Sequence, residues 1–245
     1  MTRLSATIVA QDEERDLPAC IESLEGFCDE ILVVDGGSRD RTREVAAERG
    51  ARVLERPFDD FARQHEFART QARGEWVLAI DADERASPEL RAASFGEDAA
   101  YSLPFRNHFR GIWLRHGGFW PDRHVRLFRR EACRYDPRRP VHEKLIVGGS
   151  VGRLDAPILH FTYDSLQDCL AKMDRYGEQA ARMLHAQGAS ASAWEIALRP
   201  LWRFVRGYVL RLGFLDGAPG AAMAWVRAYE AFRRYARLWE LSRFS

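Results

Sequence analysis

Two aspartates one residue apart, in Asp81-Ala82-Asp83, follow the apolar run Trp76-Val77-Leu78-Ala79-Ile80. Carboxylates paired where a chain leaves a buried strand offer the hard oxygen ligands that Mg2+ and Mn2+ take, and a diphosphate supplies the rest of the shell. A cation held there neutralises phosphate against acidic protein and stabilises charge on a departing nucleoside diphosphate. The same tripeptide also fits a solvated acidic turn. Asp35 ends a second apolar run and is followed by Gly36-Gly37-Ser38. An Asp at a strand end, ahead of glycines and a helix start, is one way to hold a ribose or base edge. It equally fits a strand–helix turn with a good cap. No Gly-Lys-Ser/Thr follows, so this is no Walker loop, and GxGxxG is absent as well. A third polar segment, Gln11-Asp12-Glu13-Glu14, follows the β-branched run ending at Ala10.

These segments need elements to position them, and the first hundred residues alternate strand and helix. Residues 4–10, 30–35, 51–54 and 76–81 read as strands. Residues 16–27 carry Leu17, Cys20, Ile21 and Leu24 on one helical face. A second helix runs to Glu48, capped by Asp40 or Ser38 and ended by Gly50. A third covers 61–73, with Phe67 and Ala68 among its inward candidates. Strand–helix alternation implies right-handed crossovers and an α/β fold with a mainly parallel sheet. Ligands of such sheets sit outside the carboxyl ends of the strands, so the three acidic segments should converge on one crevice.

With 245 residues, 46% hydrophobic and 30% charged, the chain is an ordinary globular protein, neither disordered nor collagen-like. Its four cysteines, Cys20, Cys28, Cys133 and Cys169, lie far apart without CxxC, which excludes a disulfide framework and the usual zinc spacings. The opening Met-Thr-Arg-Leu-Ser leads into a strand-like run rather than a signal peptide's apolar core, so a reducing cytoplasm is expected. The formal charge of +1 hides an asymmetry: residues 1–99 hold 13 basic and 23 acidic side chains, while 100–145 hold 11 and 4. Residues 146–194 hold 4 and 5, and 195–245 hold 9 and 4. An acidic first part grips polyanions only through a metal ion. The basic parts suit phosphates or an anionic membrane surface, although the arginine excess also fits a bias of genomic base composition.

The tail reads as helical. Residues 165–186 place Leu166, Cys169, Leu170, Met173, Tyr176 and Ala180 along one side. From Trp194 onward, Leu198, Leu201, Trp202, Val205, Val209 and Leu212 recur at helical spacing, with Arg199, Arg203, Arg206 and Arg211 interleaved. Pro200 belongs in the first turn of that helix, or it kinks it. A last helix follows residues 213–220 and carries Trp225, Tyr229, Phe232, Tyr235 and Trp239. No apolar stretch reaches the roughly 18 residues needed to span a bilayer. Arginine among Trp, Tyr and Phe fits a helix lying in a membrane interface, or a hairpin packed on the sheet domain or on a second subunit. No nucleic-acid-binding motif accompanies the basic patches.

Val9 to Glu14, residues 33–42 and Ile80-Asp81-Ala82-Asp83-Glu84-Arg85 come in the order and spacing that resemble the family 2 glycosyltransferases, with Asp12 standing where the family pattern has Asn. Trp113-Leu114-Arg115-His116-Gly117-Gly118-Phe119-Trp120-Pro121-Asp122 resembles the bacterial lipopolysaccharide core glucosyltransferase branch. So do Arg126-Leu127-Phe128-Arg129-Arg130, Val141-His142-Glu143 and Gly213-Phe214-Leu215-Asp216-Gly217. The resemblance covers nearly the whole chain. It implies a GT-A fold, a nucleotide-diphospho-sugar transferase sandwich with a mostly parallel central sheet, plus a C-terminal helical extension. Residues 1–99 would bind the nucleotide sugar, 100–160 would form the acceptor side, and 161–245 would associate with the membrane.

By the same resemblance, Asp35 contacts the uracil or ribose of the donor with Glu13 beside it. Asp81 and Asp83 match the metal motif for Mg2+ or Mn2+, Asp83 as the direct ligand and Asp81 near ribose and metal. His160 is a further metal or phosphate contact, or a hydrogen-bonded core histidine, and His142 has the same two readings. Inverting members use one carboxylate as general base on the acceptor hydroxyl. Glu143 is preferred over Asp122, the alternatives being an arginine salt bridge for Glu143 and a cap or turn role for Asp122. One at most of Arg126, Arg129 and Arg130 is expected on a phosphate, the others covering a strand face. The implied reaction moves a hexose, glucose from UDP-glucose, to a heptose of a lipid-anchored core oligosaccharide. It would take place at the cytoplasmic face of the inner membrane, with an anionic membrane surface as partner and no nucleic acid. A polyprenyl-phosphate glycosyltransferase and a nonenzymatic sugar-binding relative are the rival readings; the latter predicts loss of a metal carboxylate.

Overall fold

The computed structural model describes residues 4–136, 145–163 and 165–244. They form two compact units. The first runs up to Phe105 and from Arg123 to His160, and the second comprises Arg106–Asp122 and everything from Phe161 on.

The first unit begins with β1 (Leu4–Ala10), α1 (Leu17–Leu24), β2 (Glu30–Asp35), α2 (Thr42–Glu48), β3 (Arg52–Glu55), α3 (Phe61–Gln71) and β4 (Trp76–Ala79). Next in the chain come β5 (Glu84–Ala86), α4 (Pro88–Arg91), β6 (Ala100–Phe109), β7 (Ile112–Trp113), β8 (Asp122–Arg129), β9 (Cys133–Tyr135), β10 (Leu145–Val147), β11 (Val151–Arg153) and β12 (Ile158–Tyr163), of which β7 and the last residues of β6 and β12 belong to the second unit. The main sheet has the order β3-β2-β1-β4-β8-β6-β12-β5. Its first four strands are parallel, as the alternation predicts. At β8 the sheet turns antiparallel, because β4 and β8 are not joined by a single crossover helix.

Of the parallel strands, β1, β2 and β4 are mostly buried, with Leu32, Val33 and Val34 fully enclosed, whereas the edge strand β3 has no buried residue. On α1, Leu17, Cys20, Ile21 and Leu24 are all fully buried, as their spacing requires. The helix stops at Leu24, short of residue 27, because Glu25 turns extended and Gly26 takes φ +68°. Asp60 caps α3 through the Arg63 N–H at 2.8 Å. Neither Ser38 nor Asp40 caps α2 from its N-cap position, which Arg41 occupies without a side-chain bond. Trp76 anchors the core against the rings of Phe95 and Tyr101, 5.1 and 5.8 Å away.

In the second unit, α5 (Leu166–Ala186) is capped by Ser165, and α6 (Ala193–Val205) by a capping box of Ser192 and Glu195. Pro200 lies in the interior of α6, beyond its first turn. A π turn at Arg206–Leu210, a 3-10 turn at Gly213–Asp216 and α7 (Gly217–Phe244) complete the chain. Cys169 and Met173 of α5 pack on Met223 and Val226 of α7 together with Phe109 and Leu114. Asp174–Arg233 and Glu178–Arg237 ion pairs flank that contact. By contrast, α6 has no buried residue. No helix among the described residues is long and apolar enough to cross a membrane. All four cysteines are free.

Candidate active site

The ends of β1 and β2 are laced into one scaffold. Asp35 is fully buried, and its carboxylate accepts from the Gly37 and Ser38 N–H groups at 3.0 and 3.1 Å and from the Ser38 hydroxyl. Gly37 makes that turn possible with φ +102°. The Ser38 hydroxyl in turn accepts from the Asp12 N–H, and the Asp12 carboxylate accepts from the Arg39 N–H at 2.7 Å. The Glu13 N–H reaches the Thr42 hydroxyl at 2.8 Å, and the Glu14 N–H reaches Asp40. The acidic segments after the two strands therefore fix each other. Glu13 and Asp35 are held there, with Arg43 3.9 Å from the Asp35 carboxylate.

The end of β4 is tied to β1 by the Ile80 N–H on the Thr7 carbonyl at 3.1 Å. The Asp81 N–H then donates to Glu84 at 2.9 Å. Arg126, on β8, donates through one nitrogen to Asp81 Oδ2 at 2.8 Å and to Glu84 Oε1 at 2.9 Å, with its guanidinium 5.3 Å from the Phe105 ring centre. The Glu84 side chain is wholly enclosed, whereas Asp81 is 40% exposed. The surrounding protein opposes charge on both carboxyls. For Asp81 the Arg126 guanidinium outweighs this, with His65 and His160 helping, and holds the group well below the usual carboxylate range. For Glu84, burial wins and pushes the carboxyl up. Arg126 is kept charged by the two acids it bridges.

Beside this pair, β12 lies antiparallel to β5 and sets His160 opposite Glu84. His160 Nε2 comes to 3.4 Å from Asp83 Oδ2, while its ring meets Phe105 edge-on at 5.7 Å. Ligand atoms of Asp83, Glu84 and His160 all lie within 4.8 Å of one another. Two carboxylates and an imidazole at that spacing suit Mg2+ or Mn2+, so the residues fit a divalent cation.

The structure thus brings together Asp81, Asp83 and His160 and adds two groups to the set, Glu84 and Arg126. Glu84 stands in the acidic run itself, whereas the Arg126 pairing spans 45 residues and leaves no local signal. Arg129 and Arg130 serve the scaffold: Arg129 pairs with Glu75 over the Trp76 ring, and Arg130 donates to the Ala72 carbonyl at 2.9 Å. Asp122 opens β8 after a cis Trp120–Pro121 bond and belongs to the second unit. His142 and Glu143 lie outside the described residues.

Acidic strand ends on a parallel sheet, with a cation-sized cluster at the end of β4, are chemically suited to hold a diphosphate through a divalent cation. Residues 5–133 match the family model described as Glycosyl transferase family 2, and the chain belongs to that family. It is similar to the lipopolysaccharide core biosynthesis glycosyltransferase LpsC of Rhizobium meliloti, with 31% identity over 95% of this chain and 93% of that protein. An uncharacterized glycosyltransferase of Rickettsia typhi is 28% identical over 99% of this chain and 88% of its own length. Among solved structures, glucosyl-3-phosphoglycerate synthase from Mycobacterium tuberculosis, in complex with Mn2+, UDP-glucose and phosphoglyceric acid, matches at 23% identity. That match covers 44% of each chain with a TM-score of 0.37. The protein is a glycosyltransferase. Its sheet, with four parallel strands and β8 antiparallel beside them, is the GT-A sheet expected for this family. The nonenzymatic reading falls, and both Asp81 and Asp83 are present.

Proposed function

We propose that the protein is an inverting transferase that moves a hexose, glucose from UDP-glucose, onto a heptose of a lipid-anchored core saccharide. The cluster of Asp83, Glu84 and His160 at the carboxyl end of the parallel strands carries this reading, and the likeness to LpsC along nearly the whole chain supports the acceptor. Asp83 and His160 hold the cation, with Glu84 behind them. A bound Mg2+ or Mn2+ supplies positive charge to the diphosphate. Asp35 and Glu13 bind the nucleoside, and Asp81 sits at its ribose. An acceptor hydroxyl attacks the anomeric carbon, the bond from that carbon to the β-phosphate oxygen breaks, and UDP leaves with the electron pair. The hydroxyl proton passes to a carboxylate, Glu143 in preference to Asp122.

The second unit docks the enzyme on an anionic membrane at the cytoplasmic face. Trp194, Leu198, Leu201 and Trp202 recur at helical spacing on α6 and are all more than half exposed. Nearby Arg203 and Arg206 are exposed as well. An apolar stripe bordered by arginines suits the headgroup boundary of anionic lipid.

A screen for UDP release, with purified protein, Mn2+, a panel of nucleotide sugars and truncated core acceptors, tests the reaction. Turnover is expected with UDP-glucose and a heptose-terminated acceptor. Turnover only with polyprenyl phosphate would replace this reading by its rival.

A further inference from the structure

The loop between β7 and β8 is held more firmly than a surface connection requires. Asp216 accepts from the His116 N–H at 2.8 Å and faces the His116 ring Nδ1 at 2.8 Å. Arg227 donates to the Gly117 carbonyl at 2.9 Å and lies 3.7 Å from the centre of the Phe119 ring. The Gly117 N–H bonds to the Arg211 carbonyl at 2.8 Å, and the Asn107 amide bonds to the Phe119 carbonyl at 3.1 Å. Gly117 and Gly118 take φ +66° and +82°, and a Cβ on Gly118 would collide with the Arg211 guanidinium.

This frame presents arginine on tryptophan. The Arg106 and Arg115 guanidiniums lie 5.1 and 4.4 Å from the centre of the Trp113 ring. Trp120 meets the same indole edge-on at 5.3 Å. The Trp113 N–H is buried without an acceptor. A phenylalanine would avoid that cost, so the position makes use of the larger, more electron-rich indole face, the best partner for a guanidinium. Among the described residues no carboxylate pairs with Arg115 or Arg211, and the carboxylate seated on this loop, Asp216, already serves His116. Guanidiniums prepositioned on an aromatic ring recognise phosphate or carboxylate by paired hydrogen bonds, and part-buried Trp120 beside them offers an apolar surface to a sugar ring.

We propose that residues 113–120 form a subsite for an anionic group, a phosphate or carboxylate, carried by the acceptor saccharide. The inference rests on the reading of the protein as a saccharide transferase and adds to it a charge requirement on the acceptor. Arg115 binds the anion, and the His116–Asp216 pair positions the loop that carries it.

The test compares one core oligosaccharide with its phosphatase-treated form, using full-length wild type, Arg115→Gln and Arg115→Lys. Wild type should prefer the phosphorylated acceptor in kcat/KM, Arg115→Gln should lose that preference about tenfold, mostly in KM, and Arg115→Lys should keep part of it. Equal loss on both acceptors, or a preference that survives Arg115→Gln, would overturn the subsite. Direct binding of the two oligosaccharides, followed by calorimetry without donor, separates the two levels. If wild type turns over neither acceptor yet binds the phosphorylated form in an Arg115-dependent way, the transfer reading fails and the anion subsite stands. Sedimentation with phosphatidylglycerol vesicles distinguishes a lipid headgroup as the source of the anion. If Arg115→Gln weakened vesicle binding but left oligosaccharide binding unchanged, the headgroup would be the ligand and the acceptor subsite would be wrong.

Discussion

Arg126 and Arg115 each lie over an aromatic ring, yet the two units use them differently. Arg126 is 17% exposed, rests on Phe105 and bridges Asp81 and Glu84. Arg115 is exposed, rests on Trp113 and meets no carboxylate among the described residues. Arg126 spends its charge inside the protein, on the enclosed Glu84 and the part-exposed Asp81, whereas the proposed subsite leaves that of Arg115 to an anion. Both arginines belong to the basic excess of residues 100–145, so the partner each one finds, rather than the regional charge, separates their roles.

Removing each arginine is the sharpest way to probe the comparison. Arg126→Met leaves Glu84 enclosed without its partner and should cost about 3–5 kcal/mol of stability. Arg126→Met/Glu84→Gln should recover part of that loss in thermal unfolding. Equal melting temperatures for wild type and Arg126→Met would show that the bridge is idle. Next in size is a purely steric change in the second unit. A Cβ at Gly220 would run into the Gly213 carbonyl, where α7 begins against the 3-10 turn. Gly220→Ala should cost about 1–3 kcal/mol, with the loss of hydrogen-exchange protection confined to that unit. Protection lost evenly over both units would contradict a local clash.

A smaller effect, of about 1 kcal/mol, is expected at Glu30. Burial raises its carboxyl, but the Ser5 hydroxyl at 2.6 Å, the Arg73 N–H at 2.8 Å and Arg52 at 3.0 Å outweigh that and lower it. A carboxyl lowered by folding contributes stability above its unfolded value, about 4.3–4.5, and loses it as pH falls through the folded value. Glu30→Gln should therefore destabilise at pH 7, and the difference should shrink below about pH 4.5. A difference that grew in acid would contradict this. Smallest of all, Arg115→Met and Trp202→Ser should each change stability by less than about 0.5 kcal/mol. A clear drop in melting temperature would mean that these side chains pack against protein rather than await a partner.

How far the sequence disclosed this arrangement depends on distance along the chain. β1 and β2 begin and end where their apolar runs do, and α5 starts where the spacing from residue 165 places it, with the Ser165 hydroxyl as its cap. These are local signals. The early end of α1 was hidden, because it depends on Gly26 taking a positive φ, which helical spacing does not report. The antiparallel place of β8 was hidden too, since strand order is set by contacts 45 and more residues apart. Asp81, Asp83 and His160 were legible as chemistry. That Arg126 would claim Asp81 was not, for the same reason of distance. The apolar stripe of α6 was legible as a pattern, and its exposure became visible only when α7 and α5 paired without burying it.

The central claim is that the acids after β4 bind a cation that in turn holds a nucleoside diphosphate. Calorimetric titration of UDP into wild type and Asp83→Ala, with and without Mn2+, tests it most directly. Wild type should bind UDP far more tightly with Mn2+, and Asp83→Ala should lose that gain by on the order of a hundredfold while keeping its fold by circular dichroism. Undiminished, Mn2+-dependent binding of UDP by Asp83→Ala would contradict the account.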